Sequence, residues 1–298
     1  GAQLDDAKFK QATWDWIHTE NATALWGVPG TWDVSRVKDF SFAFSRDRDE
    51  AGGTFVSQGS ERSPAFGKIT DSGLEKWSTR SLTSLENTFG GARFMGDVDF
   101  SGWDVSNVVN MERTFSECST FPGTGLEKWI TSAVTSLSST FFGTASVVSN
   151  LASWDVGNVR SLDSTFSGAI KFKGVGLSLW DVKSVTVMTD VFKHDTGLTS
   201  CNKRLIADAW NTIPAFAATT YIADWAAEKC PAQLTDATFK KASWDWINLD
   251  TATATTRWGD IVNWNVSAVK DMSWAFAQHR NEAGGAMSSN GNPKAAGF

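Results

Sequence analysis

The sequence is poor in tyrosine, histidine and cysteine, although other aromatic residues are abundant. Its 298 residues include one Tyr, three His and three Cys, against 16 Trp and 20 Phe. The histidines are scattered, no cysteines stand at zinc-binding spacing, and no nucleophile or phosphate-loop motif occurs. The sequence therefore predicts a protein that is not an enzyme and that uses neither a metal nor a cofactor.

An excess of positive charge and long apolar runs are also missing. The chain carries 27 Lys and Arg against 33 Asp and Glu, for a net charge of −6. This balance argues against nucleic acid as a partner, since nucleic-acid-binding proteins normally present a basic face. No stretch approaches 18 apolar residues, so no membrane span is predicted. Apolar residues still make up 41% of the chain, which is enough for a packed core.

The main feature present is a short repeat with a Trp at its start and a Phe twelve residues later. Between Trp77 and Trp180 the steps are 26, 26, 25 and 26 residues, which fits a solenoid of the leucine-rich type. We number positions within a repeat from its Trp, which is position 0, so that the closing Phe is position 12. Repeats 1 to 6 begin at Trp32, Trp77, Trp103, Trp129, Trp154 and Trp180, and a further repeat begins at Trp264. The closing residues are Phe44, Phe89, Phe115, Phe141, Phe166, Phe192 and Phe276.

A longer repeat surrounds the short one. The segment LDDAKFKQATWDWI at 4–17 returns as LTDATFKKASWDWI at 234–247, an offset of 230 residues, and the repeat at Trp264 follows the second copy as Trp32 follows the first. The chain therefore holds one long unit and the start of another, and we call these the first and the second copy. The second copy is expected to stop before its next repeat.

Positions 5 and 8 of each repeat are apolar, so stacked repeats would bury columns of like residues. We predict an α+β repeat protein: an LRR-like solenoid with one short strand and a turn or short helix in each coil, flanked by capping helices. In this fold the Trp and Phe columns are structural ladders in the core. The alternative is that they form an aromatic platform for sugar rings.

An Asp follows the Trp in four of the repeats, and this column has two interpretations. Asp33, Asp104, Asp155 and Asp181 are predicted to cap turns through their carboxylates, while the alternative is a column that binds cations. The insertion at 46–68 reads as a surface loop, and its start at Asp47 only faintly suggests a calcium loop.

The segments outside the repeats predict helices. Residues 4–18 favour a helix with Phe9, Thr13, Trp16 and Ile17 on one face, which would cover the open end of a stack. Residues 200–230 favour a helical pair, with a stripe formed by Leu205, Ile206, Ala209, Trp210 and Ile213.

The three cysteines receive different predictions. Cys201 and Cys230 bracket the helical pair, so a disulfide between them would staple it, and this is worth about 3–4 kcal/mol in the chain-entropy model. Cys118 occupies a slot that other repeats fill with Ala or Thr, which predicts a small buried residue. Asn21 and Asn265 begin sequons and are candidate glycosylation sites.

These features predict four regions along the chain. They are a helical cap at 1–31, the solenoid at 32–199 with its inserted loop at 46–68, the Cys-bracketed pair at 200–230, and the start of the second copy at 231–298.

The repeat also resembles a known family. WDVSNVVNMERTF, which begins at Trp103, is similar to the coil of BspA-like leucine-rich surface proteins, W-D-V-S-x-V-x-x-M-x-x-M-F, found in bacteria, mycoplasmas, protists and algae. The resemblance covers 32–44, 77–192 and 264–276, about half of the chain. It implies an extracellular or cell-surface location and a role in interaction rather than catalysis.

Two functional hypotheses follow. In the first, the chain is a structural protein of an extracellular fibre or surface layer, and its partner is itself, either head-to-tail or as further covalent modules. In the second, it is an adhesin or binding module that recognises a glycan or a surface protein on one face of the solenoid.

Overall fold

The computed structural model describes residues 3–52, 56, 73–92, 95, 98–194, 197–230, 234–259, 261 and 264–277. They fall into two compact units, Gly1–Ala226 and Ala227–Phe298. Most of the predicted loop at 46–68, and the end of the second copy from residue 278 onward, lie outside the described residues. The boundaries of the four predicted regions stay predictions.

The helices lie outside the six stacked repeats. In the first unit they are α1 (Asp6–His18), α2 (Ala22–Trp26), α3 (Ser200–Trp210), α4 (Pro214–Ala217) and α5 (Tyr221–Asp224). The second unit has α6 (Asp236–Asn248) and α7 (Thr251–Trp258). Among the described residues, short 3₁₀ turns precede four of the repeat tryptophans, at Pro29–Thr31, Leu74–Lys76, Leu126–Lys128 and Leu177–Leu179. The short helical turn of these repeats therefore comes directly before the Trp.

Successive repeats are joined by parallel backbone bridges at position 7. These bridges run Asp39–Ser84–Asn110–Ser136–Ser161–Val187. Each is a single residue pair, and the described residues form no longer strand here, although the sequence predicted one. The reason is at position 10, where every repeat places a residue with positive φ, such as Arg113 at 54°. Left-handed backbone cannot continue a strand, so the chain turns after the bridge.

The hydrogen bonds between repeats follow one register from repeat 1 to repeat 6. The N–H groups at positions 8, 10, 12 and 14 donate to the carbonyls at positions 7, 9, 11 and 13 of the next repeat, at 2.6–3.1 Å. The N–H at position 6 donates the other way, to the position 6 carbonyl of the preceding repeat. N–H groups at intervening positions close turns within the repeat. For example, the Thr114 N–H donates to the Met111 carbonyl. The backbone polar groups of an inner repeat are thus largely satisfied by its neighbours.

Candidate functional site

The predicted aromatic columns lie in the core of the first unit. From repeat 1 to repeat 6 the Phe rings stack nearly parallel at 5.6–5.9 Å, and most neighbouring Trp rings stack at 6.1–6.5 Å. All twelve of these side chains are buried. Rings packed in this way stabilise one another, and their faces are closed to a sugar.

Each inner Trp also joins two repeats through its indole. The Nε1–H of Trp129 donates to the carbonyl of Phe100 at 3.0 Å, and Trp154 donates to Leu126 at 2.8 Å. In each case the acceptor lies three residues before the preceding repeat's Trp. A buried Phe could stack equally well but could not satisfy that carbonyl. This explains why the repeats use Trp at their start.

A buried Thr at position 11 makes a second link that the sequence analysis did not single out. The Thr140 hydroxyl donates to the Met111 carbonyl at 2.9 Å, and Thr114 donates to Leu85 at 3.0 Å. The sequence signal that could have predicted this link is the Thr that directly precedes the closing Phe in each of repeats 2 to 5.

The Asp column caps turns, as predicted. Asp33 and Asp104 each accept the N–H of the residue two positions on at 3.0 Å, and Asn265 does the same in the second copy at 3.2 Å. The Ser35 and Ser106 hydroxyls also donate to these carboxylates, and their hydrogen bonds hold the pKa of Asp33 and of Asp104 below the usual value. Among the described residues, no group of three or more His, Cys, Asp or Glu side chains could hold a metal ion.

Helix α1 closes the first end of the stack. Asp5 caps the helix itself by accepting the Lys8 N–H, while Asp6 accepts the N–H groups of Lys38 and Asp39 at 2.7 and 3.1 Å. In later repeats the N–H at position 6 bonds to a preceding repeat, so the Asp6 carboxylate replaces that missing neighbour.

The predicted apolar face of α1 is also confirmed, because Phe9 and Thr13 are buried and Trp16 and Ile17 pack against the core. The Phe9 ring stacks on Phe40 at 4.4 Å.

Two buried cations fix the start of the inserted loop to α1. The Lys10 ammonium donates to the carbonyls of Ser41 and Gly52 and lies 3.2 Å from an Asp39 carboxylate oxygen. Arg48 is fully buried, donates to the carbonyls of Ala43, Lys10 and Glu50, and lies over the Trp14 ring. Burial lowers the pKa of Arg48 to about 10 and also lowers the pKa of Lys10. Both groups bond to backbone carbonyls, which points to a structural role.

Helices α3 to α5 close the other end. Trp210 stacks on Phe192 at 6.1 Å, and Asn202 donates to the Lys173 carbonyl at 2.7 Å. The hydroxyl of Tyr221, the chain's one tyrosine, accepts the Phe192 N–H at 3.1 Å. In repeats 1 to 5 that N–H bonds to a carbonyl of the next repeat, so Tyr221 substitutes for a seventh repeat at this point.

The predicted stripe on α3 is wrong at two positions. Leu205 and Ala209 are exposed, while Cys201, Asn202 and Ala207 join Ile206 and Trp210 in the core. Helix α3 packs mainly against the 3₁₀ turn Leu177–Leu179, and its Trp210 also contacts Phe192 and Phe216, so the face turned toward these elements is the buried one. A single-helix periodicity cannot show which side these elements approach.

The three cysteines differ in state. Cys201 and Cys230 are disulfide-bonded. Cys118 is a buried free thiol, as the repeat slot predicted, and its Sγ donates to the Phe89 carbonyl at 3.0 Å. Burial raises its pKa well above the usual range, so it stays protonated and unreactive. The two sequon residues, Asn21 and Asn265, are both exposed.

The last repeat keeps an open edge beside its cap. A groove of ≈ 470 Å³ lies between repeat 6 and helices α4 and α5. Thr186, Val187 and Asp190 line it from the repeat, and Ala218, Thr219 and Tyr221 line it from the cap. The cap thus covers the ring column but leaves the bridge side of the repeat accessible.

None of the described helices has the length and apolar character needed to cross a membrane. A family model described as "Mycoplasma protein of unknown function, DUF285" matches residues 61–174, 120–229 and 248–284, which together make up more than half of the chain. The separate, overlapping matches indicate a repeat protein. Comparisons with curated proteins and with solved structures gave no match.

Proposed function

We propose that this chain, which belongs to the DUF285 family of mycoplasma proteins of unknown function, is a non-enzymatic structural protein. It would form part of an extracellular fibre or cell-surface layer built from tandem LRR-like modules. The BspA-like pattern of the repeats supports the location, and the register shared by repeats 1 to 6 supports an LRR-like solenoid as the module.

The observation that carries the proposal is the recurrence of a complete capping device. In the first copy the Asp6 carboxylate accepts the N–H groups of Lys38 and Asp39, and in the second copy Asp236 accepts those of Lys270 and Asp271 at 2.6 and 2.9 Å. A module that restarts with its own cap inside one chain is what a tandem array requires.

The side chains are used in a way that supports a structural role. In repeats 1 to 6 the Trp and Phe side chains, and in repeats 2 to 5 the position 11 Thr, are buried against the neighbouring repeats. The buried cations Lys10 and Arg48 bond to backbone carbonyls. The large apolar rings therefore stack on one another inside the module, and this close packing makes the module stiff.

Covalent tandem modules fit these caps better than head-to-tail stacking of separate molecules. Asp6 occupies the N–H groups through which repeat 1 would join a preceding repeat, and Tyr221 occupies the Phe192 N–H at the other end. Two intact modules could continue a stack only by displacing a cap from one of them.

The test is the mass of the native chain after reduction and denaturation, together with electron microscopy of the native material. We expect a mass that accommodates several units of about 230 residues, as the internal offset implies, and rods whose length grows by a fixed step for each unit. Saturable binding of compact monomers to a glycan array, without rods, would overturn the structural proposal in favour of the adhesin alternative.

A further inference from the structure

The open edge of repeat 6 differs from every inner edge of the stack in its hydrogen bonding. Between repeats 5 and 6, Leu162 N–H and Ser164 N–H donate to the carbonyls of Val187 and Thr189, and Thr186 N–H donates to the Arg160 carbonyl. The corresponding groups of repeat 6 are the N–H groups of Met188 and Asp190 and the carbonyl of Thr186. Within the described part of the chain, none of these three groups forms a backbone hydrogen bond.

The three residues that carry these groups line the groove described above. Thr186, Met188 and Asp190 all line it, and its volume of ≈ 470 Å³ is within the usual range for ligand sites. The exposed edge of a sheet ladder is a ready template for another extended segment. We propose that this groove binds an extended peptide segment of another protein, which adds to repeat 6 as an extra parallel strand.

The pattern of donors and acceptors defines how such a segment would lie. It would present two carbonyls, two residues apart, to the N–H groups of Met188 and Asp190, and one N–H to the Thr186 carbonyl. The residue that supplies this N–H cannot be proline. The cap side of the groove is lined by Ala215, Ala218, Thr219 and Thr220, and the Asp190 carboxylate is paired with Lys193 at 2.8 Å. Small, uncharged side chains therefore suit the segment best.

The described repeats of a second copy do not fit as the occupant. Among them, the incoming segment would have to be a first repeat, because repeats 2 to 6 are already paired on that side. In repeat 1, the Lys38 N–H that would reach Thr186 is bonded to Asp6, and the Ser41 carbonyl that would reach Asp190 accepts the Lys10 ammonium. The Lys270 N–H of the second copy is likewise held by Asp236. A free extended peptide has no such cap to displace.

A synthetic peptide that copies Ala133–Thr140 (AVTSLSST) is the appropriate probe. In the stack this segment makes the required bonds to repeat 3: Ser136 and Ser138 accept from Met111 and Arg113, and Thr135 donates to Val109. We expect the intact chain to bind a labelled peptide more tightly than about 1 mM, with increased hydrogen-exchange protection at the Met188 and Asp190 amides. A peptide with an N-methyl group at the Thr135 position should bind about tenfold more weakly, since it loses one backbone hydrogen bond.

Matched variants distinguish the groove from non-specific adhesion. Ala218 is exposed and lines the groove, so A218W should fill it and weaken binding at least about tenfold. Ala217 is also exposed but does not line the groove, so A217W should bind as the parent chain does. Equal binding by A217W and A218W, or no binding by the parent chain at about 1 mM, would overturn the proposal. Neither outcome depends on whether the chain forms rods.

Discussion

The first repeat of each copy has nearly the same sequence and local structure, but very different burial. Both begin after a capping helix, both have an Asx turn after the Trp, and both place position 10 in left-handed backbone, with φ of 60° at Phe42 and 63° at Trp274. In the first copy, positions 8, 10 and 12 are 0%, 6% and 1% exposed. In the second copy, Met272, Trp274 and Phe276 are 52%, 39% and 37% exposed.

This difference shows which features of a repeat form without a neighbouring repeat and which features require one. The cap and the turns depend on residues close in sequence, or on the helix directly before the repeat, so they form in both copies. Burial of the rings depends on repeat 2, which covers repeat 1. The described part of the second copy contains one repeat, and there the same positions face solvent. Four predictions test this separation.

The largest contrast is expected at the closing Phe. F44A removes a ring stacked on Phe89 at 5.6 Å and should lower the free energy of unfolding of the first unit by about 3–5 kcal/mol. F276A removes a ring that is already partly exposed and should cost roughly 1 kcal/mol in the second unit. Hydrogen exchange read separately in each unit measures both values. Equal losses would mean that the neighbouring repeat contributes little to burial.

The capping aspartates should instead behave alike in the two copies. D6A leaves the N–H groups of Lys38 and Asp39 without their acceptor and should destabilise repeat 1 by about 1–2 kcal/mol. D236A should act in the same direction on the amides of Lys270 and Asp271. Amide exchange at these four residues is the measurement, and D6N, which keeps an acceptor oxygen, is the control. An effect in one copy alone would refute the view that the cap acts locally.

Acid should destabilise helices α6 and α7 of the second copy more than helices α1 and α2, their counterparts in the first copy. Burial raises the pKa of Asp245, but hydrogen bonds from Trp258, Arg257 and Lys241 outweigh it and hold this pKa below the usual value. The stabilisation that the charged Asp245 gives to α6 and α7 is therefore complete above the unfolded pKa of about 3.9. It is lost as the pH falls through the lower folded pKa. Its counterpart Asp15 accepts from the neutral donors Trp26 and Gln11.

Amide protection in α6 and α7 followed by hydrogen exchange between pH 5 and pH 2 measures this loss. D245N is the control and should reduce the dependence on pH, leaving the part due to Asp250, whose hydrogen bond from Thr253 also holds its pKa below the usual value. An equal loss of amide protection in α1 and α2 over the same pH range would contradict the assignment to the ion pairs of Asp245.

The smallest effect is expected for W274G, whereas F42G at the same position of the first copy should be clearly destabilising. At position 10, glycine relieves left-handed strain of about 1–2 kcal/mol, although it adds entropy to the unfolded chain. W274G loses little packing because Trp274 is partly exposed, so the second unit should be unchanged or stabilised by up to about 1 kcal/mol. F42G loses a buried ring and should be destabilising. Two destabilising results of similar size would show that packing, rather than backbone, dominates in both.

The sequence predicted the periodic features well, because each recurs at a fixed offset. The Trp and Phe columns, the Asp turn caps and the buried Cys118 could all be read from residues that occupy the same slot in several repeats. The features that occur once were harder. The role of Tyr221 and the division of work between Asp5 and Asp6 depend on which backbone groups face the end of the stack. The orientation of α3 depends on how the helix meets the 3₁₀ turn Leu177–Leu179 and Phe192 of repeat 6, which a single-helix pattern does not encode.

The uniform register between repeats has a consequence for how such a chain can change in length. Every junction from repeat 1 to repeat 6 uses the same donor and acceptor positions, and only the outermost repeats meet Asp6 and Tyr221. Loss or duplication of one whole inner repeat therefore leaves both end structures intact and creates a junction like those already present. Unequal recombination within the gene can thus lengthen or shorten the module in steps of 25 or 26 residues while the backbone register of the junctions stays the same.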